Sequence, residues 1–178
     1  MMRLFVAIEL DAAVRERIAG MIERMLEMGA TGNFSRPENL HLTLAFLGET
    51  ARGGAAGAAM RQVHHPPFFL TLSSLGRFKR SSGGDIWWAG LERSDALLSV
   101  QHALCGQLEK AGFAIDKKPF RAHITLAREV RLPAGAVQKL LQIPIEPVSF
   151  PVYHLTLMRS HRVAGVLRYT PILQSELT

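Results

Sequence analysis

The sequence is poor in the features that define several common classes of protein. Cys105 is the only cysteine, which excludes a disulfide framework and a cysteine metal site. No apolar run approaches the roughly 20 residues that cross a bilayer, and the first residues lack the length and cleavage site of a signal peptide. No glycine-rich phosphate loop or nucleotide-binding lysine motif is present. We therefore expect a cytoplasmic protein with no membrane partner, no metal and no cofactor.

Charge of one sign is in surplus. Lysine and arginine total 21 against 15 aspartate and glutamate residues, which gives a net charge of +6 with histidine neutral. Such a surplus favours a polyanionic partner, because basic side chains release the counterions condensed on phosphates. The sequence indicates no protein partner.

Helical and strand patterns are interspersed along the chain. Asp11 and Ser94 are good N-caps, and each precedes apolar residues at helical spacing. Residues 50–63 predict a third helix, which glycines 53, 54 and 57 weaken, and residues 134–141 a short fourth one. Residues 29–39 read as a polar loop. Alternation predicts strands at 1–10, 40–47, 68–78, 86–91, 123–127, 148–158 and 166–173. The hairpin over 68–91 argues against an all-parallel sheet, so we predict an α+β fold.

One ten-residue pattern occurs twice, once in each half of the chain. Residues 36–45 and 118–127 both follow basic-Pro-x-x-x-His-aliphatic-Thr-Leu-Ala. A short His-x-Thr match is common by chance, whereas this longer frame is much less so. The repetition suggests two halves of similar build that face each other.

Strand geometry explains the spacing within each copy. Side chains alternate, so His41 and Thr43 share one face of a strand, and His123 and Thr125 share one face of another. The aliphatic residues between them point to the opposite face, which must be core. If the two strands lie side by side or across a cleft, two imidazoles and two hydroxyls converge.

This set of side chains suits phosphoryl chemistry without a metal. A neutral imidazole accepts a proton from water, while an imidazolium protonates a departing oxygen, and the ordinary histidine pKa near 6.5 allows both forms. The hydroxyls of Thr43 and Thr125 can donate to the non-bridging phosphate oxygens. The two copies are too alike for the sequence to say which histidine is the acid.

Neighbouring residues have weaker claims to the site. The alternation predicts that the small side chains of Ala45 and Ala127 lie on the histidine face and leave space there for a ligand. It predicts that Phe46 lies on the core face. Parity favours Arg121, which has the parity of the second histidine–threonine pair, whereas the family resemblance given next includes Arg128, of opposite parity. Neither arginine is therefore included in the predicted site.

At these residues the sequence resembles the 2H phosphoesterase superfamily, and within it the RNA 2′,3′-cyclic phosphodiesterases, historically called 2′-5′ RNA ligases. The resemblance covers nearly the whole chain; it rests on residues 3–8, 37–44, 76–78, 88–91 and 120–128, with Ser160, Gly165 and Tyr169. It implies one domain over residues 1–178 made of two similar lobes. Two small antiparallel sheets would face a central groove, with the helices outside, in a bilobal, pseudo-twofold arrangement.

The resemblance also implies the reaction. An RNA ending in a 2′,3′-cyclic phosphate would be hydrolysed to a 2′-phosphomonoester, with His41 as proton donor and His123 as proton acceptor. Alternatives remain open: ATP-independent 2′-5′ ligation, a phosphodiesterase for another cyclic or 2′-5′ nucleotide, or an RNA-binding module without turnover. A third match, at His154 and Thr156, lacks the proline and basic residue of the shared frame, so we predict that it is not catalytic.

Overall fold

A computed structural model describes all residues, 1–178. It contains four α-helices and nine strands. In chain order these are β1 (Met2–Glu9), α1 (Ala12–Glu27), β2 (Thr31–Phe34), β3 (His41–Thr50), α2 (Gly53–Met60), β4 (Phe68–Phe78), β5 (Asp85–Leu91), α3 (Asp95–Lys110), β6 (His123–Arg131), α4 (Ala136–Leu141), β7 (Val148–Val152), β8 (His154–Val163) and β9 (Val166–Glu176). A single 3₁₀ turn, Pro37–Asn39, precedes β3. No helix among the four combines the length and apolar character needed to cross a membrane.

The strands form two antiparallel sheets. The first sheet has the order β3-β1-β8-β9 and the second β2-β6-β5-β4-β7. The predicted α+β fold with two antiparallel sheets is therefore confirmed. Each sheet contains strands from both halves of the chain, because β8 and β9 join β1 in the first sheet and β2 joins β6 in the second. The single domain made of two similar lobes stays a prediction.

The two long helices form where their caps and apolar stripes predict them. The Asp11 side chain accepts a hydrogen bond from the backbone of Val14 at 2.9 Å, and Ser94 does the same for Leu97 at 3.1 Å. The buried faces continue at helical spacing, through Ile18, Met21 and Met25 in α1 and through Val100, Leu104 and Leu108 in α3. These faces join one apolar cluster that includes side chains of both sheets, so the sheets share a core.

Glycine in α2 has a packing role. A Cβ atom added at Gly57 would lie 2.8 Å from Leu173 Cδ1 on β9, closer than side-chain atoms approach. The helix predicted over residues 50–63 is thus confirmed over Gly53–Met60, and Gly57 lets it lie close against β9.

Two sequence predictions about strands were wrong. Residues 29–39 contain strand β2, which pairs with β6 but has little apolar alternation because most of its side chains are exposed. The single strand expected over 148–158 is two strands, interrupted at Tyr153. Strand β7 pairs with β4 in the second sheet, whereas β8 pairs with β1 and β9 in the first. The apolar alternation changes phase at Tyr153, from Phe150 and Val152 to Leu155 and Leu157, and this shift was the available sequence signal for the break.

Candidate active site

Both histidines of the repeated frame open onto one groove between the sheets. His41 is the first residue of β3 and His123 the first of β6. A cavity of about 810 Å³ is lined by both histidines together with Thr43 and Thr125. The structure therefore brings together all four residues that were predicted to form the site, although their roles stay predictions.

The two imidazole rings are anchored in the same way. Nδ1 of His41 lies 2.6 Å from the backbone oxygen of Asn39, and Nδ1 of His123 lies 2.6 Å from that of Arg121. A carbonyl oxygen only accepts, so Nδ1 carries a hydrogen in both rings. The nitrogen that gains or loses a proton is therefore Nε2, as catalysis in the groove requires.

His41 also contacts its own threonine. Its Nε2 atom lies 2.9 Å from Thr43 Oγ1, so the hydroxyl donates to the ring when the imidazole is neutral. Burial lowers the pKa of His41, and the hydrogen bond to Asn39 opposes that effect. Positive charge on Arg128, Arg15 and His123 lowers the pKa further. Without a ligand, the neutral imidazole is thus favoured over the cation.

The 3₁₀ turn before His41 is tied to the C-terminal hairpin. Asn39 Nδ2 donates to the backbone oxygen of Leu167 at 3.0 Å, and the Tyr169 backbone nitrogen donates to Asn39 Oδ1 at 3.2 Å. The Tyr169 ring meets the His41 ring edge-on, with 5.0 Å between centroids, and the Phe5 ring packs against the His41 ring at 4.8 Å. Strands β1 and β9 therefore both fix the orientation of the ring.

Aromatic rings hold the second histidine as well. Phe78 meets His123 edge-on at 5.1 Å, and Trp88 lies 6.4 Å from it, between centroids. Trp88 fits only because two strand glycines leave space: a Cβ added at Gly76 or Gly90 would lie 2.3 Å or 2.9 Å from the indole. Glycine within a strand signals such a close approach, and this was the available sequence signal for the contact.

The repeated frame carries a β-bulge in both copies. On β3, Thr43 pairs with Ala7 but Ala45 pairs with the adjacent Val6, so Leu44 is an extra residue. On β6, the pairing with β5 passes over Leu126 in the same way. An extra residue reverses the alternation of side chains beyond it.

The bulges overturn three expectations that came from strict alternation. Ala45 and Ala127 are 6% and 0% exposed, so they belong to the core and do not widen the groove. Phe46 was expected on the core face, yet it is 60% exposed and lines the cavity. Arg128 also lines the cavity, whereas Arg121 is exposed outside it and contributes its backbone carbonyl to His123. A bulge is set by pairing with a neighbouring strand, which alternation alone does not reveal.

A family model described as the 2′-5′ RNA ligase superfamily matches residues 6–164. The chain belongs to this superfamily. It is 33% identical over 181 residues to the RNA 2′,3′-cyclic phosphodiesterase of Escherichia coli K12, covering 99% of this chain and 97% of the relative. It is 30% identical over 175 residues to the protein of that name from Thermotoga maritima, covering 93% of each. The resemblance identified from the sequence is confirmed.

Solved structures agree with this membership. The crystal structure of E. coli LigT in apo form superimposes with a TM-score of 0.81 at 32% identity, covering 99% of this chain and 98% of that one. LigT complexed with 3′-AMP gives a TM-score of 0.78 at 32% identity, with the same coverage.

The third His-x-Thr match has different surroundings. His154 is not part of the groove lining; its Nε2 lies 3.6 Å from Glu9 Oε2 and 3.0 Å from Gln174 Nε2. Thr156 is fully buried and donates to Glu9 Oε2 at 2.8 Å. Burial raises the pKa of Glu9, but hydrogen bonds from Thr156 and Gln174 outweigh it, so the pKa is lowered. This match therefore supports the half-buried carboxylate of Glu9.

No three His, Cys, Asp or Glu side chains are grouped so that they could hold a metal ion.

Proposed function

We propose that this chain is an RNA 2′,3′-cyclic phosphodiesterase that hydrolyses the cyclic phosphate at an RNA end to a 2′-phosphomonoester. The observation that carries the proposal is the pair of histidines in one groove, each anchored through Nδ1 so that Nε2 is the nitrogen that exchanges a proton. Relatives named RNA 2′,3′-cyclic phosphodiesterase, matched over nearly the whole chain, support the same reaction.

The mechanism transfers one proton at each histidine. His123 Nε2 accepts a proton from a water molecule, whose oxygen attacks phosphorus. The bond between phosphorus and the ribose 3′ oxygen breaks, and His41 Nε2 donates its proton to that oxygen. Placing the acid and the base on opposite sheets suits an in-line displacement, in which the attacking and leaving oxygens lie on opposite sides of phosphorus. The product is the 2′-phosphomonoester.

Three further side chains stabilise the charge that develops on phosphate. The hydroxyls of Thr43 and Thr125 donate to non-bridging oxygens, and the Arg128 guanidinium lies in the same groove. The bound phosphate also prepares the acid. Its negative charge opposes the burial and the positive neighbours that lower the pKa of His41 in the free protein. Substrate binding thus favours the protonated His41 that the leaving oxygen needs.

The test uses His41→Ala and His123→Ala on an RNA ending in 2′,3′-cyclic phosphate. Each should lower turnover by about 10²–10⁴, the usual contribution of one general acid or base. His154→Ala is the matched control from the third His-x-Thr match, and it should stay within about tenfold of the wild type. The product should be the 2′-phosphate. A 3′-phosphate product, or a His154→Ala loss equal to that of His41→Ala, would contradict the proposal.

The same site also suits ligation, in which an RNA 5′ hydroxyl replaces water as the nucleophile that opens the cyclic phosphate and a 2′-5′ linkage forms without ATP. Supplying a 5′-hydroxyl RNA beside the cyclic end separates ligation from hydrolysis by product length. Mononucleotide 2′,3′-cyclic phosphates and 2′-5′ oligonucleotides test the other substrates. An RNA-binding module without turnover would keep its affinity when both histidines are replaced and would release no product.

A further inference from the structure

The groove continues past the histidines to the far end of the first sheet. There it is lined by Arg3, Glu49, Ser160, His161 and Arg162, which we call the groove arm. None of these residues belongs to the repeated frame. Arg3 pairs with Ser160 across β1 and β8 and with Glu49 across β1 and β3, so the arm follows the strand that also carries Phe5 beside His41.

The arm presents positive charge that the protein does not neutralise. Arg3 is exposed and forms no ion pair, even with its cross-strand neighbour Glu49. The Arg162 guanidinium donates only to the backbone oxygen of Gly165, at 2.6 Å, and forms no ion pair either. Two arginines against one carboxylate leave a net positive wall. Guanidinium groups are well suited to hydrogen bonding with phosphate oxygens.

A histidine in the arm lacks a partner. Nδ1 of His161 is buried, and no protein group forms a hydrogen bond with it. Buried polar atoms in folded proteins nearly always have a partner, so this nitrogen is an unsatisfied hydrogen-bonding group at the groove arm. His161 lines the groove next to Arg162 in the sequence of β8.

Strand geometry gives the distance between the arm and the reacting phosphate. Ala7 is level with Thr43 in the pairing of β1 with β3, and Arg3 lies four residues further along β1. A rise of about 3.3 Å per residue puts roughly 13 Å between those two levels. Stacked nucleotides advance about 3.4 Å each, so the interval corresponds to about four stacked nucleotides, or to fewer extended ones.

We infer that the groove arm binds backbone phosphates of the RNA two to four nucleotides upstream of the terminal cyclic phosphate. The inference rests on the proposed function, since the terminal phosphate must occupy the histidine site. It makes a single-stranded RNA end, rather than a free cyclic mononucleotide, the preferred substrate. Arg3 and Arg162 contact the upstream phosphates, while Glu49 opposes them by like-charge repulsion.

The test compares adenosine 2′,3′-cyclic phosphate with oligoadenylates of two, three, four and six nucleotides that end in the same group. For the wild type, kcat/KM should rise with length and level off by about four nucleotides. Arg3→Gln and Arg162→Gln should each lower kcat/KM on the tetranucleotide about tenfold more than on the mononucleotide. Glu49→Gln should instead raise the ratio of kcat/KM on the tetranucleotide to kcat/KM on the mononucleotide. Arg61→Gln, at an exposed arginine after α2 and outside the groove, is the control and should leave the ratio unchanged.

Salt dependence gives a second readout. Each removed arginine should reduce the slope of log kcat/KM against log salt for the tetranucleotide by about 0.7, the value per phosphate contact on a single strand. Equal kcat/KM for all lengths in the wild type would overturn the inference and leave the proposed function standing. The same conclusion would follow if Arg3→Gln lowered kcat/KM equally on the mononucleotide and the tetranucleotide. No wild-type turnover on any of these substrates would instead refute the proposed function.

Discussion

Replacing Thr156 by valine should separate the third His-x-Thr match from the two in the groove. The hydroxyl of Thr156 is fully buried and donates at 2.8 Å to the carboxylate of Glu9. Valine keeps the shape but removes the donor, which leaves Gln174 to satisfy that oxygen. A hydrogen bond to a charged group contributes about 1.5–3 kcal/mol, so the free energy of unfolding should fall by about that amount. For a chain of this size that lowers the melting temperature by roughly 3–12 °C.

Thr43→Val and Thr125→Val should lower turnover without lowering the melting temperature. Both hydroxyls line the groove, where we propose that they donate to phosphate oxygens. Losing about 1.5–3 kcal/mol of transition-state stabilisation lowers turnover roughly 10- to 150-fold. Their melting temperatures should stay close to that of the wild type.

Thermal melts and initial rates at 25 °C on one cyclic-phosphate RNA compare the three valine variants directly. Thr156→Val should be less stable but keep turnover within about twofold per folded molecule. The reasoning is refuted if Thr156→Val loses turnover as Thr43→Val does while remaining folded. It is also refuted if the melting temperature of Thr156→Val does not move.

Four further outcomes follow from the site. Turnover should survive EDTA, because the proposed reaction needs only protein side chains; loss on chelation that a divalent cation restores would contradict the two-histidine mechanism. Because folding lowers the pKa of His41, the unfolded chain binds more protons than the folded protein just below pH 6.5. The free energy of unfolding in urea should therefore rise from about pH 5 to 7. His41→Ala should reduce that rise. Bound phosphate should raise the pKa of His41 relative to the free protein. The alkaline limb of the kcat profile should therefore lie at higher pH than the alkaline limb of the kcat/KM profile. Asn39→Ala removes the hydrogen bonds to Leu167 and Tyr169 that fix the His41 loop; steady-state kinetics should show kcat falling about tenfold, with KM changing less.

Much of the site could be read from the sequence, because its main signals are local. The repeated frame identified both histidine–threonine pairs, and strand alternation put each pair on one face through residue 43 and residue 125. Helix caps and apolar stripes located α1 and α3 for the same reason, since cap and stripe lie within a few turns of one another. The family resemblance followed from the same short motifs.

Only the tertiary structure decided what lies beyond those pairs. The bulges after Thr43 and Thr125 arise from pairing with β1 and β5, and they turn Phe46 and Arg128 into the groove against the parity that the sequence predicts. The change of sheet at Tyr153 and the rings that hold each histidine likewise depend on residues distant in the chain. A periodic pattern records which face of one element is buried, but register, bulges and neighbours are properties of two elements together.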